Sequence, residues 1–252
     1  MTSKLEKEKT NNQDSNSNKS KNHVSTCLVT QEKEKQNKKD NSDLYQEYTE
    51  NKLLNKVWSI NSDEKQHILI GVTGSIAAIK LPIIIQGLLA YKNVEIQIVY
   101  TSSANQFFDL EEIKKYGIPI WTDGDEWKSW KKCGDPILHI ELRRWAHLLL
   151  LTPLSANSLS KIANGICDNL LLCILRAWSP NLAIFAAPSM NTLMWQHPLT
   201  KRHIQFIHET LPYIKFIEPI EKTLACGDTG IGAMAEPTEI INRVVQHLAL
   251  HT

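Results

Sequence analysis

The octapeptide Pro188-Ser189-Met190-Asn191-Thr192-Leu193-Met194-Trp195 sets one polar amide among large apolar side chains. It follows Leu182 to Ala187, a short apolar run bounded by Pro180-Asn181 and Pro188, which has the length and boundaries of a buried strand. In an open α/β sheet, ligands bind just outside the carboxyl ends of the strands. Asn191 is therefore placed where an amide can hydrogen-bond a small polar ligand, with Met190, Met194 and Trp195 as walls. The same eight residues could equally plug the top of a core, with Asn191 serving the turn.

Three more strand ends carry small or hydroxyl side chains. They are Gly74-Ser75-Ile76-Ala77-Ala78, Thr101-Ser102-Ser103 and Pro153-Leu154-Ser155-Ala156-Asn157-Ser158. Small residues at such a turn let backbone N–H groups approach an anion at the start of the next helix. The glycine spacing is neither that of the dinucleotide fingerprint nor that of a P-loop, and the P-loop lysine is absent. Taken singly, each turn is also compatible with plain close packing. Taken together, they form a crest rich in neutral donors and poor in fixed charge. Such a crest suits a phosphorylated cofactor with an uncharged ring, such as flavin mononucleotide (FMN), better than a metal. No carboxylate or histidine cluster has metal-ligand spacing.

The elements that must hold these turns alternate. Strands are expected at His67–Thr73, Val94–Tyr100, Ala146–Thr152, Leu182–Ala187 and Ile214–Ile217. Helices are expected from the Gly74 turn to about Ala90, at Glu111–Tyr116, from Pro153 to Asn164, at Asp168–Trp178, His197–Thr210 and Pro237–Ala249, the last with proline at its preferred first position. Trp121–Pro136 and Glu218–Glu236 are expected as loops. Alternation of this kind implies a flavodoxin-like, doubly wound parallel sheet with helices on both faces.

Composition narrows the class. The chain has 252 residues and a net charge of +1, so nothing global points to nucleic acid or an anionic membrane surface. Its five cysteines (Cys27, Cys133, Cys167, Cys173, Cys226) show neither a paired C-x-x-C nor zinc-finger spacing. They fit a reducing compartment, the cytoplasm. No apolar run is long enough to span a bilayer, and the N-terminus is too acidic for a transit peptide and too polar for a secretory signal. Residues 1–60 are rich in Lys, Asn, Ser, Gln and Glu and are expected to be a disordered tail, with Leu53, Leu54, Val57 and Trp58 as a possible anchoring helix. Residues 61–252 form the folded domain.

Five stretches then occur in order: Gly74-Ser-Ile-Ala-Ala78, His139-Ile-Glu-Leu-Arg-Arg-Trp145, Pro153-Leu-Ser-Ala-Asn157, Pro188 to Trp195, and Ala225-Cys-Gly-Asp-Thr-Gly-Ile-Gly-Ala-Met-Ala-Glu-Pro237. Together they resemble the phosphopantothenoylcysteine decarboxylases, which belong to the flavin-dependent cysteine decarboxylase family alongside the lantibiotic-peptide decarboxylases. The similarity runs from His67 to the C-terminus and leaves the tail outside. It implies bound FMN and a homotrimer with sites between subunits. It also implies conversion of 4′-phosphopantothenoylcysteine to 4′-phosphopantetheine and carbon dioxide in coenzyme A synthesis. The logic is that a carboxylate leaving an sp3 carbon needs an electron sink. Oxidation of the thiol to a thioaldehyde supplies one, and the enethiol left after loss of carbon dioxide is then reduced.

By the matching motifs, His139 resembles the catalytic base or orienter of thiol oxidation, and Cys226 the proton donor of the reductive half. Asn191 resembles the residue that holds the substrate carboxylate, which a neutral amide can do without stabilising the ground state as strongly as arginine would. The resemblance implies that Met194 shapes the pocket and that Arg144, Ala225 and Met234 meet the substrate. Flavin contacts are expected from Gly74, Ser75, Ile76, Thr101 and Ser102, and from Ser155, Ala156, Asn157, Ser158 and Ser189. Cys133, Cys167 and Cys173 are read as structural. Two positions depart from the family pattern, which usually has alanine at Ser189 and often an aromatic residue at Thr229. The family also has a regulatory branch in yeasts, with long polar extensions, whose members inhibit a Ser/Thr protein phosphatase and share a heterotrimeric decarboxylase. The polar tail fits that branch, whereas the presence of His139, Asn191 and Cys226 on one chain favours a self-sufficient homotrimer. Action on peptide C-terminal cysteines is a third reading, disfavoured by the His139 motif.

Overall fold

The computed structural model describes residues 65–223, 227 and 229–250, all within the unit Asn61–Thr252. The expected disordered tail and its anchoring helix lie outside the described residues, as do Ala225 and Cys226.

Six strands form one sheet: β1 (Gln66–Val72), β2 (Val94–Tyr100), β3 (Ile120–Trp121), β4 (Leu148–Leu154), β5 (Ile184–Pro188) and β6 (Ile214–Phe216). Their spatial order is β3-β2-β1-β4-β5-β6 and every pairing is parallel. Setting aside the two-residue edge strand β3, this is the flavodoxin order, and its switch point lies between β1 and β4.

Alternation of apolar side chains explains why the sheet is covered on both faces. Ile68, Ile70 and Val72 of β1 join Leu148 and Leu150 of β4 and Phe185 and Ala187 of β5 in one core. Leu69, Leu149, Leu151, Ile184 and Ala186 from the same strands point into the other. A strand buried on both sides reads as a continuous apolar run, which is how β4 reads from Leu148 to Leu151. Each such fully buried Leu or Ile contributes about 1.5–3 kcal/mol on transfer from water. Helices α1 (Leu81–Leu89) and α9 (Pro237–Leu248) cover the first face. Helices α4 (Leu138–Trp145), α5 (Ala156–Ala163), α6 (Leu170–Arg176) and α8 (Pro198–Thr210) cover the second. Gly71 lets α6 approach: a Cβ there would lie 2.7 Å from Leu171 Cδ1 and 2.8 Å from Leu151 Cδ2.

The structure refines several sequence expectations. The first helix is two pieces, a 3-10 helix at Ile76–Lys80 followed by α1, because Pro82 lacks the N–H that would continue the ladder. A second 3-10 turn, Ser102–Gln106, precedes α2 (Leu110–Lys114). Trp121–Pro136 is not merely a loop: it holds α3 (Asp123–Ser129), started by a capping box between Thr122 and Asp125. A short helix α7 (Thr192–Gln196) follows Asn191. The expected loop Glu218–Glu236 contains an antiparallel hairpin, β7 (Ile220–Thr223) and β8 (Thr229–Ala233), which forms a sheet of its own.

Candidate active site

Four strand ends meet at the switch point. Thr73, fully buried just past β1, ties the two central strands together: its Oγ1 donates to Pro153 O at 2.8 Å and accepts from Ser155 N at 2.7 Å. Thr101 N donates to Val72 O at 3.0 Å, which brings the end of β2 to the same level. Ser189 N donates to Leu154 O at 2.9 Å, and Ser75 Oγ donates to Ser189 Oγ at 3.0 Å. The turns expected to form a crest are thus one surface, to which Ser189, just past β5, is joined through Ser75.

Within it, Gly74 has no room for a side chain, since a Cβ would sit 2.5 Å from Ser103 Oγ. Ser103 is in turn within 3.1 Å of Thr101 Oγ1. Ser155 caps α5, its Oγ accepting from Ser158 N at 3.3 Å; both serines are buried. Ser102 and Asn157 are exposed and Ala156 is partly so, while Ile76, at the first position of its 3-10 helix, is half exposed. Thr73 is a functional candidate that the sequence reading passed over, and Ser103, read only as part of the Thr101 turn, gains its place from packing on Gly74. Both positions have meaning once the strand ends are known to meet.

The Asn191 loop is built against the hairpin. Asn191 caps α7, its Oδ1 accepting from Leu193 N at 2.8 Å, so the amide is held in one orientation. Met190 N donates to Gly232 O at 2.9 Å. Glycine is required on the hairpin side: a Cβ at Gly232 (φ +149°) would lie 2.5 Å from Met190 O, and one at Gly230 would lie 2.7 Å from Thr192 Cγ2. Met194 is half exposed. Met190 belongs to the core, and so does Met234, whose sulfur accepts a hydrogen bond from Thr152 Oγ1 at 3.3 Å. The structure places Met234 beneath the site, packed in the core. The segment 224–228, which carries Cys226, joins Thr223 and Thr229; these are directly paired, with their hydroxyl oxygens 3.1 Å apart.

His139 is the second residue of α4. That helix runs against the direction of the following strand β4, so His139 lies toward the carboxyl ends of the strands. Its Nδ1 is 2.6 Å from Glu126 Oε1, and its backbone N donates to Glu126 Oε2 at 3.2 Å. A carboxylate can only accept, so Nδ1 carries the proton and Nε2 is left as the basic nitrogen. Glu126 is the clearest residue that sequence reading missed. It sits on α3, in the stretch read as loop; the Thr122–Asp125 capping signal would have found the helix but not the partner. The side-chain hydrogen bond of His139 runs to Glu126. Arg144, on the exposed side of α4, donates to Glu141 Oε1 at 2.9 Å.

Cys173 has the environment of an inert thiol. Burial pushes its pKa up, and the nearby Cys167, Glu126, Asp123 and Asp168 push the same way. Cys133 and Cys167 are exposed free thiols, and the Cys167 carbonyl accepts from Cys173 Sγ at 3.4 Å. No group of three or more His, Cys, Asp or Glu suited to a metal occurs among the described residues.

Comparison with known proteins gives a consistent picture. The chain matches the flavoprotein family over residues 58–249. It is 44% identical to the mouse protein named phosphopantothenoylcysteine decarboxylase, over 76% of this chain and 91% of that one. It is 51% identical to a Schizosaccharomyces pombe protein named probable thymidylate synthase, over 75% of this chain but only 30% of that protein. Among solved structures, it is similar to a cysteine-to-serine variant of PPC decarboxylase complexed with pantothenoylaminoethenethiol. That match has TM-score 0.70 and 47% identity, covering 74% of this chain and all (100%) of the other. It is also similar to the FMN binding protein AtHal3, with TM-score 0.67 and 48% identity over 73% of this chain and 97% of that one.

Proposed function

The chain belongs to the flavoprotein family, and from that premise we propose that it is the FMN-dependent decarboxylase of 4′-phosphopantothenoylcysteine, forming 4′-phosphopantetheine for coenzyme A synthesis. The observation that carries this reading is the crest of four joined strand ends, flanked on one side by the Asn191 loop and its hairpin. Relatives that share nearly their whole length with this domain are named for the same reaction.

The crest fits FMN on its own terms. The bare Cα of Gly74 lets Ser103 pack directly against the first turn, which keeps the ends of β1 and β2 close together. Ser75, Ser189, Thr101, Ser155 and Ser158 supply hydroxyls, and no carboxylate lies in these turns to repel a phosphate. Ile76, Ser102, Ala156 and Asn157 complete the contact set. When bound, FMN supplies the two-electron oxidant that takes the thiol to a thioaldehyde and the reductant that returns those electrons after carbon dioxide leaves.

The chain's own residues have the remaining roles. His139 Nε2 takes the thiol proton, with Glu126 holding the ring and stabilising the imidazolium that forms. Asn191, its Oδ1 held by Leu193 N, would bind the substrate carboxylate through its amide. As the Cα–carboxylate bond breaks, its electron pair moves toward the C=S group and the enethiol results. A solved relative with cysteine replaced by serine holds a ligand of that type, which supports Cys226 as the donor of the proton that completes reduction. Met194 and Ala225 would wall the pocket and Met234 would support the site from below, whereas Arg144 stands next to Trp145, whose carbonyl lies 3.0 Å from His67 Nδ1 near the start of β1.

We further place the protein in the cytoplasm as a homotrimer, with residues 61–252 as the catalytic domain and 1–60 as an appended tail. Ile76, Ile79 and Ile83 are each at least half exposed, beside a groove of ≈ 410 Å³ lined by Phe107, Phe108 and Pro82. A second copy of the chain is the occupant that would bury them. No helix among the described residues is long and apolar enough to cross a membrane.

Gly74→Ala tests the cofactor site. Forcing a methyl against Ser103 costs about 1–3 kcal/mol, or roughly 5- to 150-fold in flavin affinity. It should be read as lost flavin absorbance and a weaker Kd on reconstitution; full occupancy would remove Gly74 from the cradle. The function itself is tested by carbon dioxide release from the purified protein given 4′-phosphopantothenoylcysteine, with product mass confirmed and the assembly mass measured alongside. Turnover is expected. Bound flavin without turnover would overturn the self-sufficient enzyme and point to a heterotrimer subunit or a phosphatase regulator.

A further inference from the structure

Glu236 begins α9 at the N-cap position, yet its side chain makes no cap hydrogen bond. Its carboxylate is instead shared between two lysines distant in sequence. Oε2 accepts from Lys80 Nζ at 3.0 Å and Oε1 from Lys222 Nζ at 3.1 Å. Lys80 closes the 3-10 helix that starts at the Gly74–Ser75 turn, and Lys222 lies on β7 of the hairpin.

We propose that Glu236 is a positioning residue for the substrate side of the site: it brackets the β7–β8 hairpin to the flavin-side turn, and so sets the wall that faces Asn191. The hairpin needs such a tether. It is a separate two-stranded sheet, and an isolated pair of strands is marginal in water. Further anchors are Met190 N to Gly232 O, with the bare Gly230 pressed on Thr192, and the buried Met234 and Ala235 just past β8. The first of these, with the core residues, holds β8, whereas the Glu236 pair is what ties β7 to the end of the 3-10 helix that follows β1. Each lysine has Glu236 as its ion-pair partner among the described residues. The two ammonium groups hold the Glu236 carboxyl below the usual carboxylate range, so it is charged at neutral pH. With that charge removed, two like-charged side chains would face each other across the same gap.

The bracket itself is independent of the function proposed above; only its kinetic readout rests on that reading. Glu236→Gln and Lys222→Gln should each raise KM for 4′-phosphopantothenoylcysteine about three- to tenfold with kcat changed less than about twofold, the scale of a small exposed ion network. The double variant should be no worse than Glu236→Gln alone, because both changes cut one connection. Flavin occupancy should stay full. In hydrogen exchange on the flavin-loaded protein, amides of 229–233 should lose protection in both variants while those of β1 keep theirs. Unchanged KM with unchanged hairpin exchange would overturn the bracket, and so would effects of the two variants that simply add. If the wild-type protein releases no carbon dioxide, the proposed reaction fails, and hydrogen exchange alone decides whether Glu236 holds the hairpin.

Discussion

His139→Asn is expected to keep FMN and to release no carbon dioxide on the time scale of wild-type turnover. The loss should be about 10²- to 10⁴-fold, the usual contribution of a positioned general base. The geometry sets the expectation. Glu126 Oε1 lies 2.6 Å from Nδ1, so the ring nitrogen free to accept the thiol proton is Nε2, and asparagine offers no basic nitrogen there. Because the proton must leave before the thiol can be oxidised, the block falls ahead of decarboxylation, and the bound flavin should stay oxidised after anaerobic mixing with substrate. Glu126→Gln should give a milder defect, roughly 10- to 100-fold, since a neutral amide can still orient the ring but stabilises the imidazolium less. Carbon dioxide release by His139→Asn at near the wild-type rate would remove His139 from the chemistry.

Cys226→Ser should fail at the opposite end of the reaction. Flavin binding and carbon dioxide release are expected to survive, while formation of 4′-phosphopantetheine falls by about 10²- to 10⁴-fold. A serine hydroxyl is a far weaker acid than a thiol of pKa about 8.5, so it cannot deliver the proton that accompanies reduction. The oxidised, decarboxylated species should then accumulate, lighter than the product by two hydrogen atoms, and mass spectrometry of a single turnover reads it directly. Normal product at full rate would show that another group, or solvent, donates the proton. His139→Asn and Cys226→Ser thus divide the reaction at carbon dioxide, and a mixed-assembly experiment extends the test. If sites lie between copies of the chain, co-assembly of the two inactive variants should recover part of the activity, because some sites would then pair an intact His139 with an intact Cys226.

Much of the fold was legible because it is written in near-neighbour patterns. The runs Ile68–Val72 and Leu148–Leu151 are apolar at every alternate position on both faces, which only a doubly covered strand requires. Pro188 and the serine-rich turns then mark where those strands stop. The stretches misread as loops had local signals of their own, the Thr122–Asp125 capping pair before α3 and the glycines at 230 and 232 in β8. They were outweighed by the tryptophan-rich and glycine-rich character of their surroundings.

By itself, then, the sequence determined the parallel α/β architecture, the crest of neutral donors and, through its motifs, the family. These properties depend on residue type, spacing and burial pattern, all of which act over a few residues of chain. Tertiary structure alone decided the partnerships: Glu126 with His139, Thr73 with Pro153 and Ser155, Ser75 with Ser189, and Glu236 with Lys80 and Lys222. A hydrogen bond or ion pair acts over about 3 Å and is indifferent to distance along the chain. Which polar groups meet is therefore set by strand order and helix crossing, and it becomes visible only when the sheet is assembled.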